Sequence, residues 1–513
     1  MNHRALFLPA AAVAAAAVVA NALAADWPEW GGSSSRNMVS KDKVSLEIEP
    51  GKKLKGKDEI DPATTKGLRW EVKLGSQAYG TPVVANGRVL VGTNNENPRD
   101  SRIKNDRGVL LCLDEKTGEM KWQFASPKLG TGKVSDWEYL GMCNTGQIEG
   151  NRIYMVTNRC TVVCLDLDGL ANGNDGPYKD EIKYLSDKEN PLAELGDQDA
   201  DIIWLFDMRE ECGVFPHNVT SSSVMVVGDK VFANTSNGQD WTHTNIPAPN
   251  APNLVMLDKA TGKLLGEESS GISSRCMHGS WSSPALAKVN GEDVIVFGAS
   301  DGFCYGFSTK TKKNEEDLDV LQELWRVDCN PKEYRLDETG TKRKYSDFNG
   351  PSEVIATPIS HNNKVYVHIG QDPEHQEGLG MLTCLDPSQK GDLTGKVLWT
   401  YKDISRSIST AAIADGVMYV ADFSGRLHAL DPDTGKRFWL YDTKGHIWAS
   451  PMVVDGKVLI PNEEGELHVL KAGKELVKEK IINFPGPIYS TPVVANDNLY
   501  IMTMSHLYSF GIK

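Results

Sequence analysis

A unit of about 40 residues recurs eight times along this chain, and this repeat constrains the fold more than any other feature. The clearest copy, residues 408–439, reads ISTAAIADGVMYVADFSGRLHALDPDTGKRFW. Its β-branched and aromatic residues are separated by Asp-Gly and Thr-Gly turns. The pattern predicts four strands in each copy, here A (409–414), B (417–421), C (426–430) and D (436–439).

One position, equivalent to Ala429 in the Ala429-Leu-Asp431 segment of the clearest copy, identifies every copy. Its eight occupants are Cys112, Cys164, Met256, Gly306, Cys384, Ala429, Val469 and Ser509. The spacing is regular in the last three copies and longer in the earlier ones, with the excess between strands, where loops tolerate insertion. Eight such units predict the blades of a β-propeller, in which each blade is a four-stranded sheet.

The last copy ends at Lys513 after its third strand, and a candidate for the missing fourth strand lies near the other end of the chain. Residues 65–70, with Thr65, Gly67 and Trp70, have the composition of a strand D. An N-terminal strand that completes the last blade closes the ring and removes its open edges. We therefore predict an all-β, eight-bladed propeller of four-stranded antiparallel blades over residues 65–513, with an N-terminal extension (25–64) that packs on it.

The first 24 residues have the pattern of a cleavable signal peptide. Arg4 precedes an apolar run over residues 5–20, and Ala22-Leu23-Ala24 is a small-x-small cleavage site; the alternative is an uncleaved anchor. No Cys lies near the predicted cut, so a lipid anchor is not indicated. We expect a periplasmic or secreted protein, and the net charge of −14 argues against nucleic acid or an anionic membrane surface as partner.

The end of strand C and the start of strand D resemble a known repeat motif. The segments Cys112-Leu-Asp114-Glu-Lys-Thr117-Gly118-Glu-Met-Lys-Trp122 and 429–439 are similar to the tryptophan-docking motif of the pyrroloquinoline quinone (PQQ) repeat family. The resemblance covers residues 65–513 and implies that the Trp of each strand D packs between neighbouring blades, whereas Gly266 departs from the pattern. The tryptophans that fit this structural role are Trp70, Trp122, Trp204, Trp325, Trp399 and Trp439.

The resemblance leaves the chemistry open, because the family contains both PQQ-dependent dehydrogenases and propellers that bind no quinone, such as that of the outer-membrane barrel-assembly machine. Residues 26–31, followed by Val39-Ser40, resemble the quinoprotein dehydrogenase signature. Gly32 stands where that signature has a basic residue, and Val39 where it has an aromatic one. The chain also lacks the adjacent cysteine pair whose disulfide caps the quinone in the alcohol dehydrogenases.

The B–C and D–A loops share the face that carries the channel mouth, and they are individual in sequence, which favours this face as the functional one. The candidate ligand-binding residues in these loops are Asn94, Glu96, Arg99, Asp136, Trp137, His217, Asn218, Gln239, Asp240, Trp241, His243, Arg275, His278, Trp281, Gln371, Asp372, Glu374, His375, His446 and Trp448. Tyr79, Trp281, Trp448 and Tyr489 precede strand A by the same offset. We expect them to line the channel mouth, either to stack on a flat ligand or to fill a dry channel.

Two further groups of residues raise the question of metal binding. Cys212 with His217, and Cys276 with His278, suggest either a soft-metal site or a Cys212–Cys276 disulfide beside two ordinary histidines. The candidate Ca²⁺ ligands of the blade-two insert are Asp166, Asp168, Asn172, Asn174 and Asp175, although a solvated acidic loop has the same composition. Five cysteines are on the loop side and available for cross-links: Cys143, Cys160, Cys212, Cys276 and Cys329.

Known catalytic motifs are absent from the sequence, which contains no phosphate-binding glycine loop, Gly-x-Ser-x-Gly elbow or His-Glu-x-x-His motif. The first hypothesis is therefore an exported binding or assembly platform for a protein or carbohydrate in the cell envelope. The alternative is a PQQ- and Ca²⁺-dependent dehydrogenase that oxidises an alcohol or sugar, with a loop carboxylate as base. A purely structural envelope protein is a third hypothesis, and no catalytic residue is assigned.

Overall fold

The computed structural model describes residues 25–57 and 59–511, so the predicted signal peptide (residues 1–24) lies outside the described residues. The described chain contains eight four-stranded antiparallel groups, the number of blades expected from the repeat. Strands A to D of the first four are Val83–Ala85, Arg88–Asn94, Arg107–Asp114 and Met120–Pro127; Gln147–Glu149, Arg152–Val156, Thr161–Asp166 and Ile202–Asp207; Met225–Val227, Lys230–Asn234, Leu254–Asp258 and Leu264–Glu267; Ala285–Val289, Glu292–Gly298, Phe303–Lys313 and Asp319–Asp328. Those of the last four are Ile359–His361, Lys364–His368, Leu382–Leu385 and Trp399–Tyr401; Ala412–Ala414, Val417–Ala421, Arg426–Leu430 and Arg437–Asp442; Met452–Val454, Lys457–Pro461, Glu466–Lys471 and Lys478–Asn483; Val493–Ala495, Asn498–Met502, His506–Gly511 and Leu68–Lys73.

The last group is completed by an N-terminal strand. Leu68–Lys73 pairs antiparallel with His506–Gly511, which places Trp70 opposite Ser509 and Val72 opposite Leu507. This pairing confirms the β-propeller fold and the N-terminal closure that the half-repeat predicted. Groups three and four are also joined edge to edge by a single parallel bridge between Glu267 and Val320.

A belt of hydroxyl groups links the inner ends of neighbouring blades. One Ser or Thr occupies the same place before each strand A: Thr81, Thr145, Ser223, Ser283, Thr357, Thr410, Ser450 and Thr491. At six of the eight junctions the backbone N–H of one belt residue donates to the hydroxyl of the next, at 2.9–3.3 Å. The hydroxyls of Thr145 and Ser282 bridge the other two junctions by donating to carbonyls. The belt satisfies backbone donors that would otherwise be buried without a partner.

Tryptophans of strand D hold the outer parts of the blades together. The indole N–H of Trp70, Trp122, Trp204, Trp399 and Trp439 donates to a carbonyl oxygen in the next group at 2.9–3.2 Å. Trp325 differs, because its ring lies over Gly306 of its own blade, where an added Cβ would be 2.1 Å from the ring. Each tryptophan pairs across the sheet with the residue that identifies its repeat, as Cys112 does with Trp122.

The N-terminal strap, residues 25–42, crosses the end of the channel opposite the B–C and D–A loops. It hydrogen-bonds to strand A, or the residue just before it, in all eight groups, at Val84, Ile148, Val224, Leu286, Ser360, Ile413, Val453 and Val494. Its two ends meet, since the Ala25 backbone N–H donates to the Asp42 carboxylate at 3.1 Å. The strap therefore closes one end of the channel.

Arg36 anchors the strap at the centre of the ring. Its guanidinium is fully buried and donates to the Glu29 carboxylate (2.8 Å) and to the carbonyls of Trp30, Val224 and Pro284 (2.7–3.0 Å). Such a buried charge is tolerated only when it is paired and hydrogen-bonded.

Few elements lie outside the blades. Val39–Ser40 adds a parallel edge to Met452–Val454, Glu49–Lys53 pairs with Ile60–Lys66, and Gly391–Asp392 lies beside Asp319–Asp328. The helices are Glu181–Leu185, Met208–Cys212 and Lys332–Arg335, with 3₁₀ turns at Gly132–Val134, Gly169–Asn172, Ser273–Arg275 and Pro373–His375. Over the described residues, no helix has the length and apolar character needed to span a membrane.

Candidate functional site

A cavity of about 520 Å³ occupies the channel between the strap and the loop face. Trp30 of the strap forms its floor and donates its indole N–H to the hydroxyl of Thr357 at 3.1 Å. The eight belt hydroxyls line the wall above the floor. Because the strap closes the far end, the cavity formed by the described residues opens only at the face of the B–C and D–A loops. Its volume is typical of small-molecule sites.

The aromatic residues selected by their offset before strand A all line this cavity. They do not form an even ring. Tyr79, Trp448 and Tyr489 contact one another, with ring centroids 4.6–6.1 Å apart, whereas Trp281 belongs to blade four on the other side of the channel. The remaining blades carry Cys143, Ser221, Ile355 and Ile408 at this position. The cavity thus has one strongly aromatic wall and an isolated tryptophan facing it.

The rim of the cavity is acidic. Its described lining includes Glu138, Asp372 and Glu374 and contains no Lys, Arg or His. Just behind the aromatic wall, Glu463 accepts hydrogen bonds from the Trp448 indole at 3.1 Å and from His446 at 2.5 Å. The site therefore favours an uncharged or cationic ligand over an anion.

Four histidines meet at the mouth beside Trp281. The Nε2 atoms of His217 and His278 are 3.1 Å apart, and one ring nitrogen of His243 lies within 4.8 Å of both. His217 and His278 are buried, whereas His243 is exposed. On the other side of His278, its Nδ1 is 3.2 Å from an Asp372 carboxylate oxygen, which also lies 2.8 Å from His375 Nδ1.

The surroundings lower the pKa values of His217, His243 and Asp372, which favours neutral imidazoles and an ionised carboxylate. Burial, together with the charge of His278, lowers the pKa of His217 to about 3, and burial also lowers the pKa of His243. Burial alone would raise the pKa of Asp372, but the hydrogen bonds and charges of His278 and His375 outweigh it and hold that pKa below its usual range. Asp372 is therefore ionised beside the imidazoles.

The other loop residues selected from the sequence divide into three groups. Trp137 and Asn218 line the cavity, and the carbonyl of Gln239 contacts His217. Asn94, Asp136, Arg275 and Gln371 are held by bonds within the protein, to Tyr139, Lys128, Asp301 and Tyr345 respectively. Glu96 and Arg99 border a separate surface hollow, and Asp240 and Trp241 are exposed outside the cavity. His446 stacks on Phe423 with ring centroids 4.6 Å apart.

The acidic insert of blade two brings together only part of the expected Ca²⁺ set. Carboxylate oxygens of Asp166, Asp175 and Asp201 lie within 4.8 Å of one another, and burial raises the pKa of Asp201 to about 6. Asp166 already pairs with Arg152 and Asp168 with Arg88. The remaining candidates donate amide hydrogen bonds, Asn172 to Asp166 and Asn174 to Glu181.

All nine cysteines have free thiols. Among the described residues no Cys belongs to the histidine cluster, so the structure forms neither the suggested soft-metal pairs, Cys212 with His217 and Cys276 with His278, nor the alternative Cys212–Cys276 disulfide. Burial raises the pKa of the Cys143 and Cys212 thiols to about 12, which makes them unreactive near neutral pH.

Sequence reasoning missed two contributors to the site. Tyr345, in the long loop between blades four and five, stacks on His278 with ring centroids 5.2 Å apart. The sequence indicates Trp30 only as part of the dehydrogenase-like signature, yet Trp30 forms the cavity floor. In that signature, Gly32 has a positive φ of 68°, and a Cβ there would be 2.6 Å from the Trp27 ring, which leaves no room for the basic residue.

Comparison with known families explains the repeat. The PQQ-repeat family model described as outer membrane protein assembly factor BamB matches residues 60–171, 103–315 and 322–510. The chain belongs to this family. No curated protein matches this PQQ-repeat sequence significantly.

Solved propellers with similar structures include both kinds of family member. BamB from Moraxella catarrhalis aligns with a TM-score of 0.53 and 13% identity over 86% of this chain and 99% of its own. A europium-containing methanol dehydrogenase aligns with a TM-score of 0.56 and 11% identity over 95% of this chain and 98% of its own. At these identities the likeness supports the fold alone.

Proposed function

We propose that this protein is an envelope-located binding propeller that holds a neutral, ring-shaped small molecule, a carbohydrate, in the cavity at its channel mouth. The observation that carries the proposal is the single-mouthed cavity, in which Tyr79, Trp448 and Tyr489 form an apolar wall beneath an acidic rim. Carbohydrate rings present an apolar C–H face that packs on aromatic rings, and hydroxyls that donate to carboxylates.

The polar lining supports the same ligand class. Eight Ser and Thr side chains surround the lower cavity, and Asn218 and Gln77 add amide groups near the mouth. Hydroxyl and amide groups both donate and accept hydrogen bonds, so they match the mixed donors and acceptors of a polyol. The signal-like N-terminus supports export of such a protein to the periplasm or the medium.

The alternative, a PQQ- and Ca²⁺-dependent dehydrogenase, fits the lining less well. PQQ carries three carboxyl groups and is a polyanion at neutral pH, whereas the described lining has three acidic residues and no basic one. Carboxylates at the rim suit Ca²⁺, but Asp372 is already held by two histidines. The residues present therefore do not fit the quinone, and we derive no reaction step through it.

Tryptophan fluorescence titration with a panel of neutral mono- and oligosaccharides tests the proposal. Trp448→Ala removes the largest ring of the aromatic wall, and we expect it to weaken carbohydrate binding at least tenfold, about 1.4 kcal/mol. Trp241→Ala is the matched control, because Trp241 is 73% exposed outside the cavity, and it should leave the affinity unchanged.

Two further titrations, with a quaternary ammonium compound and with PQQ plus Ca²⁺, separate the ligand classes. Failure of every carbohydrate, or equal affinity in Trp448→Ala and wild type, would refute the carbohydrate assignment. Micromolar binding of PQQ with dye reduction would replace it with the dehydrogenase. Binding of the ammonium compound alone would keep the aromatic cavity as the site but change its ligand to a cation.

A second candidate function, docking of a protein partner, is favoured by exposed aromatic residues on the same face. Trp241 is 73% exposed and Phe348 60% exposed, in a B–C and a D–A loop respectively. Large exposed apolar side chains on a rigid scaffold are typical of protein-contact surfaces. Partner binding should be lost in the double variant Trp241→Ser/Phe348→Ser while cavity binding persists, and loss of both would contradict separate surfaces.

A further inference from the structure

The arrangement of three histidines at the cavity mouth is the strongest unexplained feature of the molecule. His217 and His278 come from the D–A loops on the two sides of blade three, and His243 comes from its B–C loop. Three different loops thus converge to place three imidazoles together. We propose that His217, His243 and His278 form a binding site for a divalent transition metal ion of the Zn²⁺ or Cu²⁺ class.

Hydrogen bonds determine which nitrogen each buried imidazole presents. His217 Nδ1 lies 2.6 Å from the Gln239 carbonyl oxygen, which only accepts, so Nδ1 carries the proton and Nε2 is bare. His278 Nδ1 lies 3.2 Å from an Asp372 carboxylate oxygen, a group that can accept from a proton on Nδ1. When both rings carry the proton on Nδ1, each directs an unprotonated Nε2 at the same point.

In these tautomers the two Nε2 atoms, 3.1 Å apart, cannot donate to each other, and a cation between them would be bound by both lone pairs. Zn²⁺ binds imidazole nitrogen at 2.0–2.1 Å, and two such bonds spanning 3.1 Å enclose an angle of about 100°, close to tetrahedral. His243, with its ring centroid 4.6 Å from that of His278, supplies a third nitrogen from the solvent side. Three imidazole ligands would leave a fourth position for water or another ligand, as in catalytic rather than structural zinc sites.

The neighbours of the histidines have the arrangement that supports metal ligands. Ligating histidines usually donate their second N–H to a carbonyl or a carboxylate, which orients the ring and increases its basicity. Gln239 and Asp372 occupy these two positions, and His375 holds Asp372 in place at 2.8 Å. The Tyr345 ring covers one face of His278 and limits its rotation. The donor set of imidazoles disfavours Ca²⁺ and Mg²⁺, which prefer oxygen.

The metal site would share a wall with the cavity. The Trp281 ring lies 5.3 Å from His278 and 5.9 Å from His217, and Asp372 lines the cavity while contacting His278. The metal-site proposal rests on the contacts of the histidines and does not depend on the carbohydrate proposal.

Metal titration of the tag-free, EDTA-treated exported protein tests the inference. Isothermal titration with Zn²⁺ should show one equivalent bound with a Kd below about 1 µM, and Co²⁺ should give the intense visible bands of a four- or five-coordinate site. His243→Ala, at an exposed position, should weaken Zn²⁺ binding at least tenfold, and Asp372→Asn should weaken it about 10- to 100-fold. Ca²⁺ should not compete.

His446→Ala is the matched control, since His446 is a half-exposed histidine of the same face outside the cluster. It should bind Zn²⁺ like the wild type. If the wild type binds less than about a tenth of an equivalent of Zn²⁺, the inference is overturned. The two imidazole rings would then share a proton instead of a metal ion. Equal Zn²⁺ affinity in the His243→Ala and His446→Ala variants would also overturn the inference. Thermal unfolding is the folding control, because an unchanged Tm shows that neither variant has lost its fold.

Discussion

Replacement of Arg36 by methionine tests whether the N-terminal strap is an integral part of the ring. The substitution keeps an unbranched side chain but removes the guanidinium, which donates to Glu29 and to the carbonyls of Trp30, Val224 and Pro284. Glu29, 8% exposed, then becomes a buried carboxylate without its cation. Burial already raises the pKa of Glu29, and Arg36 opposes that rise, so its loss favours the protonated acid.

The expected loss follows from these contacts. Breaking a buried ion pair by removing one partner costs about 3–5 kcal/mol of unfolding free energy. The unfolding entropy is about 2.1 cal/mol/K per residue, which amounts to about 1 kcal/mol/K for this chain of 513 residues. Arg36→Met should therefore lower Tm by about 3–5 °C. In the double variant Arg36→Met/Glu29→Gln, a neutral amide replaces the carboxylate that has lost its cation. This change should restore part of the lost Tm.

Differential scanning calorimetry measures the shift, and hydrogen exchange of residues 25–42 localises it. Arg88→Met is the control, because Arg88 pairs at 2.9 Å with Asp168 on the partly exposed blade-two insert, where an ion pair contributes at most about 1 kcal/mol. If Arg36→Met and Arg88→Met lower Tm equally, or if Glu29→Gln gives no rescue, the buried pair does not hold the strap and this reasoning is wrong.

Three other predictions concern buried polar groups. Burial raises the pKa of Glu268 to about 7, so the contribution of this side chain to stability is present at low pH and is lost as pH rises through 7. Relative to wild type, Glu268→Gln should therefore gain about 2–3 °C in Tm between pH 5 and pH 8. A Tm difference between the two proteins that does not change with pH would contradict this. If the signal peptide is cleaved after Ala24, the new α-ammonium at Ala25 faces the buried Asp42 at 3.1 Å; Asp42→Asn should then destabilise the cleaved chain more than the uncleaved one, and equal Tm shifts would argue against the pair. A thiol-reactive dye should titrate nine cysteines in guanidinium without reductant and almost none in the folded protein; fewer than nine in denaturant would reveal a disulfide.

The repeat made the fold predictable because it is a local pattern copied many times. In blade six, strands B and C lie at Val417–Ala421 and Arg426–Leu430, as the turn residues indicated, while strand D extends three residues beyond the predicted end at Trp439. The missing fourth strand of the last copy could be recognised from the Thr, Gly and Trp of residues 65–70, and its pairing beside Ser509 confirms that reasoning. The strand itself is Leu68–Lys73, because Thr65 belongs to the hairpin strand Ile60–Lys66. Strand A proved shorter than expected, at Ala412–Ala414, because Thr410 belongs to the hydroxyl belt and the hydroxyl of Ser409 donates to the Ala449 carbonyl.

The histidine cluster was harder to predict because sequence proximity misleads on a ring. His217 and His278 were selected from the loops beside blade three, but each was paired with the cysteine nearest to it along the chain. The fold instead brings together equivalent positions of successive loops, so His217 meets His278, 61 residues away. Tyr345 and the role of Trp30 could not be inferred, since both depend on how a loop or the strap crosses the channel.

The positions of the two proposed sites determine how they can be told apart. The aromatic wall belongs to blades seven, eight and one, and the histidines belong to loops around blade three, so each site has residues that the other does not use. Trp448→Ala should change ligand affinity without changing Zn²⁺ affinity, and His243→Ala should do the reverse. Trp281 and Asp372 contact both sites. If bound Zn²⁺ changes carbohydrate affinity in the wild type but not in His243→Ala, the two sites are coupled, and bound carbohydrate must change Zn²⁺ affinity by the same factor.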